Sequence, residues 1–141
     1  MLFRSLIADT ARALFLGTTQ TIALPFYHET QEAAAAYTVM EWEQMRQPYQ
    51  SACVLAALAF HAHGWLLYRC SISSLNGLQV QQLLQIWLRF PLTPPGDFVR
   101  AMTMFSFMSL MDQSQTWEAL SLQGYERYTY ALRLYHDLLA L

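Results

Sequence analysis

A long stretch without charge in the middle of the chain constrains the fold more than any other feature. No Asp, Glu, Lys or Arg occurs from Ala52 to Tyr68, and only His61 and His63 interrupt its apolar character. A helix of this kind comes close to the length needed to span a bilayer. It is also typical of the central helix of a bundle, which is apolar on all sides because other helices surround it. The two histidines and several alanines favour a buried helix over a membrane span.

The rest of the chain also has helical patterns, separated by Pro, Gly and Ser. Apolar residues recur with the 3.6-residue period of a helix, and the few Val and Ile residues do not indicate strands. The sequence therefore predicts an all-α, single-domain bundle over residues 1–141, with about five to six helices and a hydrophobic central helix. We expect Gly17 to end the first helix and Asp97 to lie at the cap or in the first turn of the fifth. The predicted helices span residues 2–16, 29–46, 49–70, 78–90, 97–112 and 115–140.

Charged residues are too few to cover the surface of such a domain. Of the 141 residues, 55% are hydrophobic and 13% are charged, where about 25% charged is usual. A folded chain of this size exposes on the order of 7,500 Å² of surface. Only eight basic and ten acidic side chains are present to cover that area. Because monomers rarely expose large apolar patches, we expect this chain to hide surface against a second copy, another protein or a membrane. A homo-oligomer or a protein partner is favoured over a membrane.

The basic residues and the motifs give no catalytic or nucleic-acid-binding signature. All eight basic residues are Arg, which excludes Schiff-base chemistry and a phosphate-binding loop Lys. The arginines are scattered and form no basic stripe, so we expect no nucleic-acid partner. A Gly-x-Ser-x-Gly nucleophile motif and Gly-rich phosphate loops are also missing from the sequence. These observations favour a non-enzymatic role.

The histidines and cysteines do not form a metal site by their spacing. His61 and His63 point about 200° apart on a helix, so they cannot hold one ion together. Cys53 and Cys70, the two cysteines of the chain, lie about 25 Å apart along one helix, too far for a disulfide. We therefore expect no metal and no cofactor, and two free thiols.

The free thiols and the N-terminal sequence together predict a cytoplasmic protein. Two unpaired thiols indicate a reducing compartment. The N-terminal apolar stretch is interrupted by Asp9 and Arg12, so it does not make a convincing secretory signal.

Aromatic, Met and Gln residues suggest where a partner could bind. The chain has seven Met, eight Tyr, eight Phe and four Trp, and Met and aromatic side chains are favoured in adaptable protein interfaces. The sixth predicted helix carries a seam of Tyr and Leu with heptad spacing, and the fourth has a face of Gln. The candidate partner-binding residues are Tyr125, Tyr128, Tyr135, Gln81, Gln82 and Gln85. We therefore expect a non-enzymatic helical interaction module: an oligomer, subunit, adaptor, chaperone or immunity-type partner.

An alternative is a small ligand or cofactor bound inside the bundle. The third and fifth predicted helices could line such a pocket, with a histidine as its polar anchor. The candidate pocket residues are His61, His63, Met104, Phe105 and Met108.

Overall fold

The chain forms a bundle of α-helices, as the sequence predicts. The computed structural model describes residues 2–21, 27–112, 129–130, 132–133 and 136. Its helices are α1 (Leu2–Thr21), α2 (His28–Gln44), α3 (Tyr49–Tyr68), α4 (Gly77–Leu88) and α5 (Thr93–Met111), with a 3-10 turn at Ile72–Ser74. No strand occurs in these described ranges. The all-α prediction is thus confirmed, while most of the sixth predicted helix lies outside the described residues.

The helix at the centre of the bundle is α1. It contacts each of the other four helices, and Ile7, Ala11 and Leu14 along it are completely buried. The hydroxyls of the buried Thr10 and Thr18 donate hydrogen bonds to backbone carbonyls one turn earlier, at 2.8 and 2.7 Å. These hydrogen bonds satisfy the hydroxyls, so threonines can occupy core positions.

Gly17 does not end α1, contrary to the sequence-based expectation. The helix continues to Thr21, and Gly17 lies where side chains of α4 pack against α1. A Cβ atom at Gly17 would come within 2.7 Å of Leu84 Cδ1 and 2.8 Å of Val80 Cγ1. The glycine therefore permits close packing of two helices rather than marking a turn.

The ends of α4 follow local signals. At its start, Asn76 Oδ1 accepts a hydrogen bond from the Gln79 amide at 2.9 Å, and Gln79 Oε1 accepts one from the Asn76 amide at 3.0 Å. This reciprocal arrangement is a capping box. The helix then ends at Leu88, two residues before the predicted end at residue 90 and three before Pro91.

The fifth helix begins four residues earlier than predicted. It starts at Thr93 because Pro94 and Pro95 fall in its first turn, where no intrahelical amide bond is needed. The prediction that Asp97 caps the helix or lies in its first turn is therefore wrong. Asp97 lies inside α5 and forms a 3.6 Å ion pair with Arg100.

The prediction that the third helix is the central one is also wrong. Its buried residues in the described part of the chain are Val54, Ala57, Phe60 and Gly64. Of the 18 consecutive residues that make its most apolar stretch, only 22% are buried. The centre is already occupied by α1, so α3 lies at the edge of the described bundle. The side of α3 away from its buried residues is also apolar, and it is exposed.

Candidate functional site

Half of the predicted partner-binding residues can be located. Tyr125, Tyr128 and Tyr135 lie outside the described residues. The three glutamines lie on α4, where Gln82 is exposed and Gln81 and Gln85 are half-buried. Gln82 Oε1 accepts a hydrogen bond from the Tyr68 hydroxyl at 3.0 Å, which links α4 to the end of α3.

His61 attaches α3 to the central helix. Its Nε2 lies 2.8 Å from Thr10 Oγ1. Because the Thr10 hydroxyl donates to the Leu6 carbonyl, its oxygen accepts from a protonated His61 Nε2. Burial lowers the pKa of His61, and the nearby Asp9 charge opposes that shift. A neutral imidazole acting as a donor is therefore the form that the bundle stabilises.

His63 attaches α3 to α4 on a different side. Its Nδ1 accepts a hydrogen bond from Trp87 Nε1 at 2.9 Å, and the Trp87 ring packs edge-on against Phe60, with centroids 5.2 Å apart. The two histidines thus contact different helices. Within the residues that the structure describes, no group of three or more His, Cys, Asp or Glu could hold a metal ion.

The outward side of α3 carries large apolar side chains. Leu55 is 68% exposed, Leu58 48%, Trp65 52% and Leu66 59%. Exposed residues along this side recur at alternating spacings of four and three, the heptad spacing of helices that pack on one another. We call these residues the outer seam of α3: Ser51, Leu55, Leu58, Ala62 and Trp65.

No charged side chain interrupts the outer seam. The first charge after it is Arg69, which caps α3 in a left-handed conformation with φ 56°. Its guanidinium carbon lies 5.4 Å from the centre of the Trp65 ring, a cation–π arrangement. By length and composition, α3 is apolar enough to cross a membrane, with a mean hydropathy of 1.3. Its inner side, however, is hydrogen-bonded to α1 and α4 through the two histidines.

A groove adjoins the outer seam between α3 and the first half of α5. It has a volume of about 950 Å³ and an almost entirely apolar lining that includes Ala56, Phe98 and Phe105. Of the predicted pocket residues, Phe105 lines this groove. The residues His61, His63, Met104 and Met108 are not part of its lining.

The two cysteines are free, as predicted. Cys53 lies in the groove, where burial raises the pKa of its thiol. Its Sγ is 3.7 Å from Met45 Sδ. A protonated thiol with a soft, apolar neighbour has the character of a packing residue rather than of a nucleophile.

The outer seam is the feature that sequence reasoning missed. Its heptad spacing is visible in the sequence, but it was obscured because nearly every residue of α3 is apolar. The signal that could have found it is the position of the two histidines around the helix. They mark the sides of α3 that contact α1 and α4, and the outer seam lies away from both.

Comparison with known proteins adds no family to this description. No protein-family model matches the chain, and neither the curated proteins nor the solved structures gave a significant match.

Proposed function

We propose that this chain is a non-enzymatic interaction module that binds a helix of a protein through the outer seam of α3. One observation carries the proposal: an uncharged helix face with heptad spacing leaves Leu55, Leu58 and Trp65 in water. Burial of apolar area is worth about 25 cal/mol per Å². A partner that covers these side chains therefore gains binding free energy without any change in the fold.

The spacing of the seam favours a helical partner. Residues at alternating intervals of four and three form a straight stripe along a helix, and such stripes pack knobs into holes with a second helix. Large side chains at Leu58 and Trp65 flank the small Ala62, so the stripe has a depression at Ala62 into which a partner side chain can fit. A lipid surface has no defined side chain to fill such a depression.

The residues capable of chemistry have structural roles, which supports a non-enzymatic function. His61 and His63 are hydrogen-bonded to Thr10 and Trp87. The pKa of the Cys53 thiol is raised by burial. None of these groups is both activated and open to a substrate in the described part of the chain.

The proposal is tested by removing apolar surface from the seam. A Leu55→Ser, Leu58→Ser variant keeps the buried side of α3 intact and should lower self-association of the purified protein, measured by sedimentation velocity over a range of concentrations. A matched Leu78→Ser, Leu92→Ser variant removes two leucines that are equally exposed elsewhere and should behave as wild type. A seam variant that keeps the full self-association of wild type would contradict the proposal.

A second candidate function is the binding of an elongated apolar ligand in the groove beside α3. Its volume of about 950 Å³ lies within the usual range for ligand sites. Two charged residues, Arg46 and Asp97, stand among the lining residues. Asp97 pairs with Arg100 at 3.6 Å, whereas no ion pair involves Arg46 within the described part of the chain. The groove therefore suits a hydrocarbon chain with an acidic head group.

Native mass spectrometry of the purified protein tests this second candidate. A bound acyl compound should be present in wild type and lost in Ala56→Trp, which fills the groove. Retention of the same ligand by Ala56→Trp would place it elsewhere, and its absence from wild type after incubation with a long-chain fatty acid would contradict the ligand role.

A further inference from the structure

We infer that the partner of the outer seam is a second copy of this chain, packed so that the two α3 helices run antiparallel about a two-fold axis at the level of Phe60. The inference rests on the proposed function, because it names the partner of the same face. It follows from the order of large and small residues along the seam. A two-fold interface must be complementary to itself.

The seam meets that requirement when it is reversed about Phe60. In this register Leu58 of one copy faces Ala62 of the other, and Leu55 faces Trp65. Ser51 at the start of one helix faces Arg69 at the end of the other. The large Leu58 in the middle thus meets a small residue, which is the pattern that lets facing layers interdigitate. The symmetry repeats each contact twice.

A parallel pair would bring identical residues together and fits less well. Ala62 would face Ala62 and leave a gap, and the two bulky Trp65 rings would face each other. The two Arg69 guanidinium groups would meet as like charges. In the antiparallel pair they lie at opposite ends, about 27 Å apart along the helices.

The electrostatics of the helix ends point the same way. Antiparallel packing sets the partly positive N-terminus of each α3 beside the partly negative C-terminus of the other. Between these ends, residues 47–68 have no charge, so no like-charge pair opposes the contact. The hydrogen bonds of His61 and His63 to α1 and α4 remain intact, so neither copy needs to rearrange.

Mixing two singly charged variants tests both the partner and the direction of packing. Leu58→Glu and Ala62→Arg each place a charge in the seam, and each should raise the dimer dissociation constant roughly thirty-fold or more. In an equimolar mixture, the carboxylate introduced at position 58 of one chain would face the guanidinium introduced at position 62 of the other, and the mixture should recover dimer. Sedimentation equilibrium measures all three samples and wild type. Far-UV circular dichroism checks that each variant stays helical.

The outcomes separate this inference from the proposed function. If both variants are monomeric and remain so when mixed, the seam is an interface but the antiparallel register is wrong. If both variants dimerise like wild type, the seam is not the interface and both proposals fail. If wild type is monomeric and instead sediments with vesicles of an anionic phospholipid, the occupant is a lipid surface and the second copy is excluded.

Thiol crosslinking provides a test that adds no charge to the seam. In a background with Cys53→Ser and Cys70→Ser, a mixture of Ser51→Cys and Arg69→Cys chains should form a crosslinked dimer with a short thiol-reactive reagent. Neither variant alone should do so. Crosslinking of Ser51→Cys with itself would show a parallel pair and overturn the inference.

Discussion

The outer surfaces of two parts of the bundle differ in their content of charged residues. On the surface shared by α1 and α2, Arg12 binds Glu32 through two hydrogen bonds, of 2.9 and 3.0 Å, and also binds Asp9 at 2.8 Å. Arg4 and Glu43 form a second pair at 2.8 Å. By contrast, α3 and the two residues before it (residues 47–68) contain no charged side chain. A cluster of charges thus lies on one surface of the described bundle, while another surface carries none.

This difference shows that apolar composition and burial are separate properties. The most apolar helix, α3, is poorly buried, while α1, with charged residues on its outer side, lies at the centre. Ion pairs between half-exposed groups contribute little to stability, typically about 0–1 kcal/mol. Their larger effect is to keep the α1–α2 surface hydrated, whereas the outer seam of α3 exposes large apolar side chains.

The largest expected effect separates the two sides of α3. Phe60 is completely buried, so Phe60→Ala should lower the free energy of unfolding by about 3–5 kcal/mol. Leu58→Ala, on the outer seam, should cost under about 1 kcal/mol when measured at a concentration where the protein is monomeric. Urea unfolding followed by circular dichroism measures both. Equal losses would mean that the outer side of α3 is also packed within one chain.

A smaller loss is expected where α1 meets α4. Gly17→Val would force side-chain atoms into the space held by Leu84 and Val80, and overpacking of this kind costs about 1–3 kcal/mol. The thermal midpoint of unfolding should fall accordingly. A midpoint equal to that of wild type would show that α4 can move away from α1, and that their close approach is not required.

The pH dependence of stability should report on the contact between α3 and α1. Since burial lowers the pKa of His61 in the folded protein, the folded state binds fewer protons there than the unfolded state does. The contribution of His61 to the free energy of unfolding is therefore fully present above its unfolded-state pKa of about 6.5. It is lost as pH falls through the lower pKa of the folded state. His61→Gln should flatten the profile of unfolding free energy against pH in that range.

An identical profile in His61→Gln and wild type would show that the half-buried His61–Thr10 contact is not the source of the pH dependence.

The smallest effect is expected on the charged surface. The hydrogen bond from Arg12, together with its charge, lowers the pKa of Glu32 in the folded state. The pair therefore stabilises the fold above the unfolded Glu value of about 4.3, and this contribution is lost as pH falls through the lower folded pKa. A double-mutant cycle of Arg12→Ala and Glu32→Ala should give a coupling of about 0.2–1 kcal/mol. The coupling should shrink in high salt; a salt-independent value would contradict a screened surface pair.

The fold class and most helix ends could be predicted from the sequence because they depend on local signals. The apolar period identifies α4 and α5, and Pro91 marks the end of α4. The proline pair before Gly96, expected to precede the fifth helix, lies instead in its first turn. Gly17 could not be interpreted correctly in this way, since its role depends on α4, which begins about sixty positions later in the chain. A glycine that ends a helix and one that admits a neighbouring helix look the same in a sequence.

The position of α3 could not be predicted for a related reason. A helix that is apolar all round is compatible with the centre of a bundle and with an interface between chains, and composition does not distinguish them. His61 and His63 could be predicted to point in different directions from their spacing. Which sides of α3 are buried depends on their partners Thr10 and Trp87, and these are set by tertiary packing.

The most direct test of the central claim compares solvent access at two exposed alanines, one on each surface. With Cys53 and Cys70 replaced by Ser, Ala62→Cys places a thiol in the outer seam of α3, and Ala36→Cys places one on the charged side of α2. The rate of alkylation of each thiol is measured as protein concentration rises. If α3 provides the interface, alkylation at position 62 slows with concentration while that at position 36 stays constant. Equal rates at both positions over the whole concentration range would contradict the claim.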